Sequence, residues 1–112
     1  MNKEDAQLLS FQVISHSGDA LAYFNEAIQY AREKDYEKSK EKFKEGQKSL
    51  DLAHKVQTDM IFAEANGENL DFSIILIHAQ DHLMTTMMYR NLATEMISLY
   101  ELVNTKLDSF KA

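Results

Sequence analysis

Ile74 to Thr86 reads IILIHAQDHLMTT, and this stretch decides what kind of fold the chain can have. Stepped at alternating intervals of four and three, Ile74, His78, Asp81, Thr85, Met88 and Leu92 fall on one seam of a helix. Apolar residues hold both ends of the seam, with His, Asp and Thr in its middle. His82 stands one turn beyond His78. An imidazole and a carboxylate walled by Ile, Leu and Met are costly to bury unless paired or put to use.

Working outward, the apolar pattern continues through Met84, Met87, Leu92, Met96, Ile97 and Leu99 and spreads over most of the helix circumference. A helix that is hydrophobic nearly all round should be buried nearly all round. Two neighbouring helices cannot cover it, so the pattern predicts self-association through this third helix. A polar residue in a seam is a device for fixing oligomer number, and Asp81 is placed to be one. Repeated around a symmetry axis, its carboxylates would repel unless a cation or shared protons intervened.

The remaining chain supplies two more helices. Leu9, Val13, Ala20, Phe24, Ala27, Ile28 and Ala31 recur at three and four, which predicts helix one over about 4–34. Gly18 interrupts it within SHSGDA, at a cost of about 1 kcal/mol relative to alanine. Either the helix tolerates this, or a close contact or room beside the reactive turn requires it. Asp35 is a suitable N-cap for helix two, over about 36–65, with Phe43, Leu50, Ala53, Ile61 and Gln57 facing inward. Asn66-Gly67-Glu68-Asn69 is the clearest turn, with Gly67 suited to a left-handed C-cap. Helix three, capped by Asn69 or Asp71, is expected over about 72–110. Short connections make successive helices antiparallel. The expected fold is all-α, an up-down-up three-helix bundle in one domain, 1–112, assembling around its third helix.

Composition agrees. The 112 residues include no proline, three glycines and 45% apolar residues, and good helix formers abound. No cysteine is present, which excludes disulfides, thiolate metal sites and Cys nucleophiles. A net charge of −6 argues against phosphate-backbone binding, so no nucleic-acid partner is expected. Lys34, Lys38, Lys40, Lys42, Lys44 and Lys48 crowd one segment, but interleaved Asp35, Glu37, Glu41 and Glu45 mark a solvated face with (i, i+4) pairs. No signal peptide is apparent, and no apolar run approaches the roughly 20 residues of a membrane span. A soluble, cytoplasmic protein without membrane insertion is the expectation.

The chemistry follows from what is missing as much as from what is present. There is no Gly-rich phosphate loop, no G-x-S-x-G elbow and no H-E-x-x-H. His78-x-x-Asp81-His82 shares one helix face and could bind a metal, but only His54 or His16 could complete the site with nitrogen. Neutral imidazole is also a good nucleophile near neutral pH. A phosphoryl carrier needs an accessible His, a group that fixes its ring and donors for the phosphate oxygens. His78 could be the first, Gln80 and His82 the donors, and Thr85 or Asp81 the organiser. On spacing alone, a hydrogen-bonded structural histidine is as good a reading as a carrier.

Ile77-His78-Ala79-Gln80-Asp81-His82-Leu83-Met84-Thr85-Thr86 resembles the signature of enzyme IIA of the lactose/cellobiose (chitobiose) class. That class belongs to the bacterial phosphoenolpyruvate-dependent sugar phosphotransferase system. Ser17-Gly18-Asp19-Ala20, Asp35-Tyr36, Ala53-His54-Lys55-Val56-Gln57-Thr58 and Leu99-Tyr100 are similar in the same order, so the likeness spans nearly the whole chain. The resemblance implies a homotrimer with helix three central, and a phosphohistidine intermediate at His78. His78 would accept from phospho-HPr and donate to a cysteine of enzyme IIB, with the membrane enzyme IIC served indirectly. Asp81 matches the aspartate that meets its symmetry mates on the trimer axis, commonly around Mg2+ or another divalent cation. Gln80 and His82 match positions close to the active histidine. Ala79 in place of glycine leans toward the cellobiose/chitobiose branch over the lactose branch of β-linked disaccharides.

Two rivals come from other classes. A non-enzymatic helical interaction module is suggested by Ala31 to Ser39, which looks like part of a tetratricopeptide unit, although nothing recurs about 34 residues later. A bundle metalloprotein would use His78, Asp81 and His82. Neither requires the intact HAQDHLMTT run.

Overall fold

The computed structural model describes residues 1–111. They form three helices, α1 (Lys3–Arg32), α2 (Tyr36–Ala65) and α3 (Ile74–Lys111), in an up-down-up bundle drawn out to 65 × 21 × 17 Å. None of these helices is long and apolar enough to cross a membrane.

The helix ends follow from local hydrogen bonding. Asn2 caps α1 reciprocally: Asp5 N–H donates to Asn2 Oδ1 at 2.8 Å and Asn2 N–H to Asp5 Oδ2 at 3.4 Å. The helix stops at Arg32, short of the expected Lys34, because Lys34 turns left-handed (φ 69°). Asp35 N–H then donates to Tyr30 O and Lys34 N–H to Ala31 O, a C-terminal motif usually closed by glycine. Asp35 caps α2 as expected, accepting from Lys38 N–H at 3.2 Å. Gly67 (φ 95°) closes α2 by the same motif, with Glu68 N–H donating to Ala63 O and Gly67 N–H to Glu64 O. At α3 the expected caps, Asn69 and Asp71, are replaced by Ser73, whose hydroxyl accepts from Leu76 N–H at 3.2 Å. Its carbonyl takes the next turn's Ile77 N–H. Ser73 immediately precedes the first helical residue, the one place from which a short side chain reaches these amides.

The centre of the bundle is α1. Its buried residues Ala6, Ser10, Val13, Ser17, Ala20, Phe24, Ala27 and Ala31 alternate by four and three without a break. Most are small, so both neighbours approach closely. On α2 the matching stripe is Ser39, Phe43, Gly46, Leu50, Ala53, Gln57 and Met60. Met60 is buried, whereas Ile61, an expected core residue, is 54% exposed, because the strict seven-residue repeat 39, 46, 53, 60 passes it by. Phe24 fills the space above Gly46 and packs on Phe43 with ring centroids 5.0 Å apart. Ser39 Oγ donates to Ala27 O at 2.7 Å.

On α3, Ala79, Leu83, Thr86, Ala93 and Asn104 are buried against α1. The two helices run parallel. Tyr89 Oη donates to Asn25 Oδ1 at 2.9 Å, Asn104 Nδ2 donates to Ala31 O at 3.2 Å, and Lys34 Nζ pairs with Asp108 at 2.6 Å. Between α2 and α3 the packing is looser, with clefts lined by residues of both. Arg90 Nη1 bridges them, donating to Gln47 Oε1 at 3.0 Å, and Gln47 Nε2 donates onward to Asp51 at 2.8 Å. The lysine-rich face of α2 is solvated. Its ion pairs are (i, i+3), Lys38–Asp35 and Lys48–Glu45, or reach α1, Lys42–Glu26; the expected (i, i+4) spacing occurs only beyond the cluster, at Lys55–Asp59.

Candidate functional site

The seam read from the sequence faces outward. His78, Asp81, Thr85, Met88 and Leu92 are all exposed, and Ile74 is 86% exposed. The stripe continues toward the C-terminus through exposed Leu99, Leu102 and Leu107. Among the described residues no helix covers this face, because α3 packs on its neighbours through Ala79, Leu83, Thr86 and Ala93, and α1 only borders it on the His82 side. An apolar stripe this long is a surface for association.

Of the residues expected at the site, His78 and His82 are brought together. Their rings meet edge to face, with centroids 5.7 Å apart and planes at 83°. His78 is open to solvent, while His82 is half-buried. The Nδ1 of His82 is fully buried with no hydrogen-bond partner, so Nε2 is the nitrogen of that ring free to act outside. An exposed nucleophilic imidazole backed by a second, more sheltered one can accept a group and hydrogen-bond to it.

Asp81 lies on the neighbouring edge of the stripe, exposed, with no ion pair among the described residues. Gln80 does not share the face of His78. Two residues along a helix point to nearly opposite sides, and Gln80 borders a cleft with Met60, Ile61, Glu64, Leu70 and Leu76 on the α2 flank. Among the described residues no three His, Asp or Glu side chains gather as a metal site, so the His78–Asp81–His82 metal site within one chain is not formed. Beside His78 and His82 the only carboxylate on this turn of α3 is that of Asp81, and hard cations take several oxygen ligands.

His54 is exposed on the rim of a cleft with Gln47, Leu50, Asp51, Met87 and Arg90. His16 is half-buried on α1. The Asn25–Tyr89 and Arg90–Gln47 pairs carried no signal in the sequence, since each joins residues on different helices at no diagnostic spacing.

Comparison with known proteins bears on this arrangement. A family model described as lactose/cellobiose-specific IIA subunit of the PTS system matches residues 8–101. The chain is 38% identical over 101 residues to the lactose-specific EIIA component of Staphylococcus epidermidis, covering 90% of this chain and 97% of that protein. The crystal structure of the cellobiose-specific enzyme IIA from Bacillus anthracis is similar with a TM-score of 0.88 and 37% identity, covering 95% of each chain. The solution structure of the IIA(chitobiose)–HPr complex from the N,N'-diacetylchitobiose branch of the Escherichia coli phosphotransferase system is similar at TM-score 0.75 and 32% identity. That match covers 88% of this chain and 96% of the other.

Proposed function

Because this chain belongs to the lactose/cellobiose-specific IIA family of the sugar phosphotransferase system, we propose that it is a cytoplasmic phosphocarrier acting through His78. His78 accepts a phosphoryl group from phospho-HPr and passes it to a cysteine of an enzyme IIB, in the uptake of a β-linked disaccharide. The observation that carries the reading is the exposed His78 ring backed edge-on by His82 at 5.7 Å. A related IIA protein forms a complex with HPr, which supports HPr as the donor. The relatives' names span lactose, cellobiose and chitobiose at 32–38% identity, so the sugar is left at the level of a disaccharide.

In the first step the lone pair of a neutral His78 nitrogen attacks phosphorus. The new P–N bond forms as the P–N bond to the HPr imidazole breaks, and the departing ring keeps the electron pair. In the second step a thiolate of IIB attacks phosphorus, and the P–S bond forms as the P–N bond to His78 breaks, His78 keeping the electron pair of that bond. The protein's contribution is position and charge stabilisation. A phosphoryl group adds a charge of about −2, and His82, its ring edge-on to His78 with Nδ1 turned inward, would donate from Nε2 to offset it. Gln80, on the other flank of α3, would reach a phosphoryl group only across a subunit boundary.

The uncovered stripe of α3 supports a homotrimer packed around this helix. Asp81 carboxylates from separate copies would then complete the oxygen set that one chain lacks. A divalent cation such as Mg2+ held there would neutralise their repulsion. Donor and acceptor proteins need the same nitrogen, so HPr and IIB bind in turn.

The test is intact mass after incubation with phosphoenolpyruvate, enzyme I and HPr. One acid-labile phosphoryl group per wild-type chain, absent from His78→Gln, is expected. An unmodified wild-type chain beside fully phosphorylated HPr would overturn the proposal and leave a helical interaction module as the reading to pursue.

A further inference from the structure

We infer that Gly18 belongs to the phosphoryl site: its missing side chain keeps a notch open on α1 beside His82 and His78, and the phosphoryl group carried by His78 occupies it. The inference rests on the phosphocarrier reading and adds a residue from a different helix.

The register between α1 and α3 places Gly18 there. Both helices pack with a seven-residue repeat, and Tyr89 Oη touches Asn25 Oδ1 at 2.9 Å. One repeat back on each helix, Asn25 becomes Gly18 and Tyr89 becomes His82. In parallel helices sharing one repeat, residues at equivalent positions keep the same relation. At this level Thr86 Oγ1 donates to Ser17 O at 3.5 Å, so Gly18 flanks the α1–α3 seam about one turn beyond His82, whose ring carries His78 at its edge.

Nothing inside the chain requires a glycine at this position. A Cβ added to Gly18 meets no atom within 4 Å, whereas at Gly46 it would lie 2.8 Å from Phe24 Cε1, and Gly67 has φ 95°. Two of the three glycines thus have a steric or conformational reason within the fold. Gly18 sits mid-helix, where glycine is unfavourable, with helical backbone and open space where its side chain would be. The helix forgoes stability to keep that space empty.

The space suits a phosphoryl group in both position and chemistry. With Nδ1 of His82 buried, only Nε2 can donate outward to phosphoryl oxygens. A tetrahedral group with three oxygens needs clearance on the flank where His82 meets α1, and a side chain at position 18 would narrow it.

The test compares wild type, Gly18→Ala and Gly18→Leu in three measurements: thermal melting, oligomeric state by sedimentation, and rate of phosphoryl acceptance from phospho-HPr and from phosphoramidate. Phosphoramidate is a small donor that needs no protein docking. Gly18→Ala should melt higher than wild type, keep its oligomeric state, and accept from both donors at least tenfold more slowly, with Gly18→Leu slower again. Unchanged rates in Gly18→Ala would overturn the inference and leave a tolerated glycine. A loss confined to phospho-HPr would overturn it in favour of partner docking, and a change of oligomeric state in favour of subunit packing. Failure of the phosphocarrier reading itself would appear separately, as a wild-type chain that neither donor modifies.

Discussion

The rings of His78 and His82 stand edge to face with centroids 5.7 Å apart, the first exposed and the second sheltered with its Nδ1 buried. This geometry divides the labour between them. In the proposed phosphocarrier the outer ring would meet the protein donor, and the inner ring would assist. His82→Ala should therefore still acquire one phosphoryl group, but about a hundredfold more slowly, the scale for loss of one positioned charge-stabilising donor. Its fold should be unharmed, since the buried Nδ1 has no partner to lose. Rapid-quench phosphorylation beside a circular dichroism melt checks both parts. An unchanged rate would reduce His82 to packing.

How much of this was legible in the sequence depends on which contacts carry it. The His78–His82 pair could be read directly, because four residues along one helix is a fixed geometry. So could Asp35 and Gly67, whose roles depend on neighbours in the chain. Ile61 misled because a hydrophobic residue adjacent to a seam looks like part of it until the partner helix fixes the repeat. Gln80 shows a related point: a family-like run of ten residues wraps right around a helix, so membership of the run does not by itself place a residue on the face of His78 within one chain. Gly18 could be noticed but not interpreted, since its meaning depends on which residue of α3 lies opposite.

Gly46 makes a prediction of opposite sign to Gly18. A Cβ there would stand 2.8 Å from Phe24 Cε1, and Phe24 is fully buried against Phe43 and has little room to move. Overpacking of this kind costs about 1–3 kcal/mol, against roughly 1 kcal/mol gained in helix propensity. Gly46→Ala should lower the denaturant midpoint, and Phe24→Ala, which empties the same layer, should lower it further, by about 3–5 kcal/mol of stability. Urea unfolding measures both. A Gly46→Ala variant more stable than wild type would show that the ring can give way.

Acid should loosen one end of the bundle first. The Lys34 ammonium hydrogen-bonds the Asp108 carboxylate and holds it below the usual carboxylate range. A carboxyl group depressed on folding stabilises the fold above its unfolded pKa, near 3.8, and that contribution is lost as pH falls through the lower folded value. The last turns of α3 should therefore fray below about pH 4, seen as faster amide exchange around Asp108 than around Leu83. Both side chains are half exposed, so the effect should shrink with salt and vanish in Asp108→Asn.

The α3 stripe makes the strongest claim about assembly. Met88 and Leu92 are 68% and 58% exposed in the single chain, on the face that also carries Asp81. If three copies pack there, each buries these side chains, and a charge in their place has no water to solvate it. Leu92→Glu should then dissociate the assembly, giving a monomer by sedimentation at concentrations where wild type is expected to associate. Its far-ultraviolet spectrum should persist, because the contacts to α1 lie on the other side of the helix. Asp81→Asn should act in the reverse direction, removing the like charges that would converge on the axis of the proposed trimer and making association indifferent to divalent cations. A chelator should weaken the wild-type assembly and leave this variant unaffected. Were Leu92→Glu to sediment as wild type does, the stripe would be free in the assembly, and the surface of α3 would have to be assigned to a partner protein.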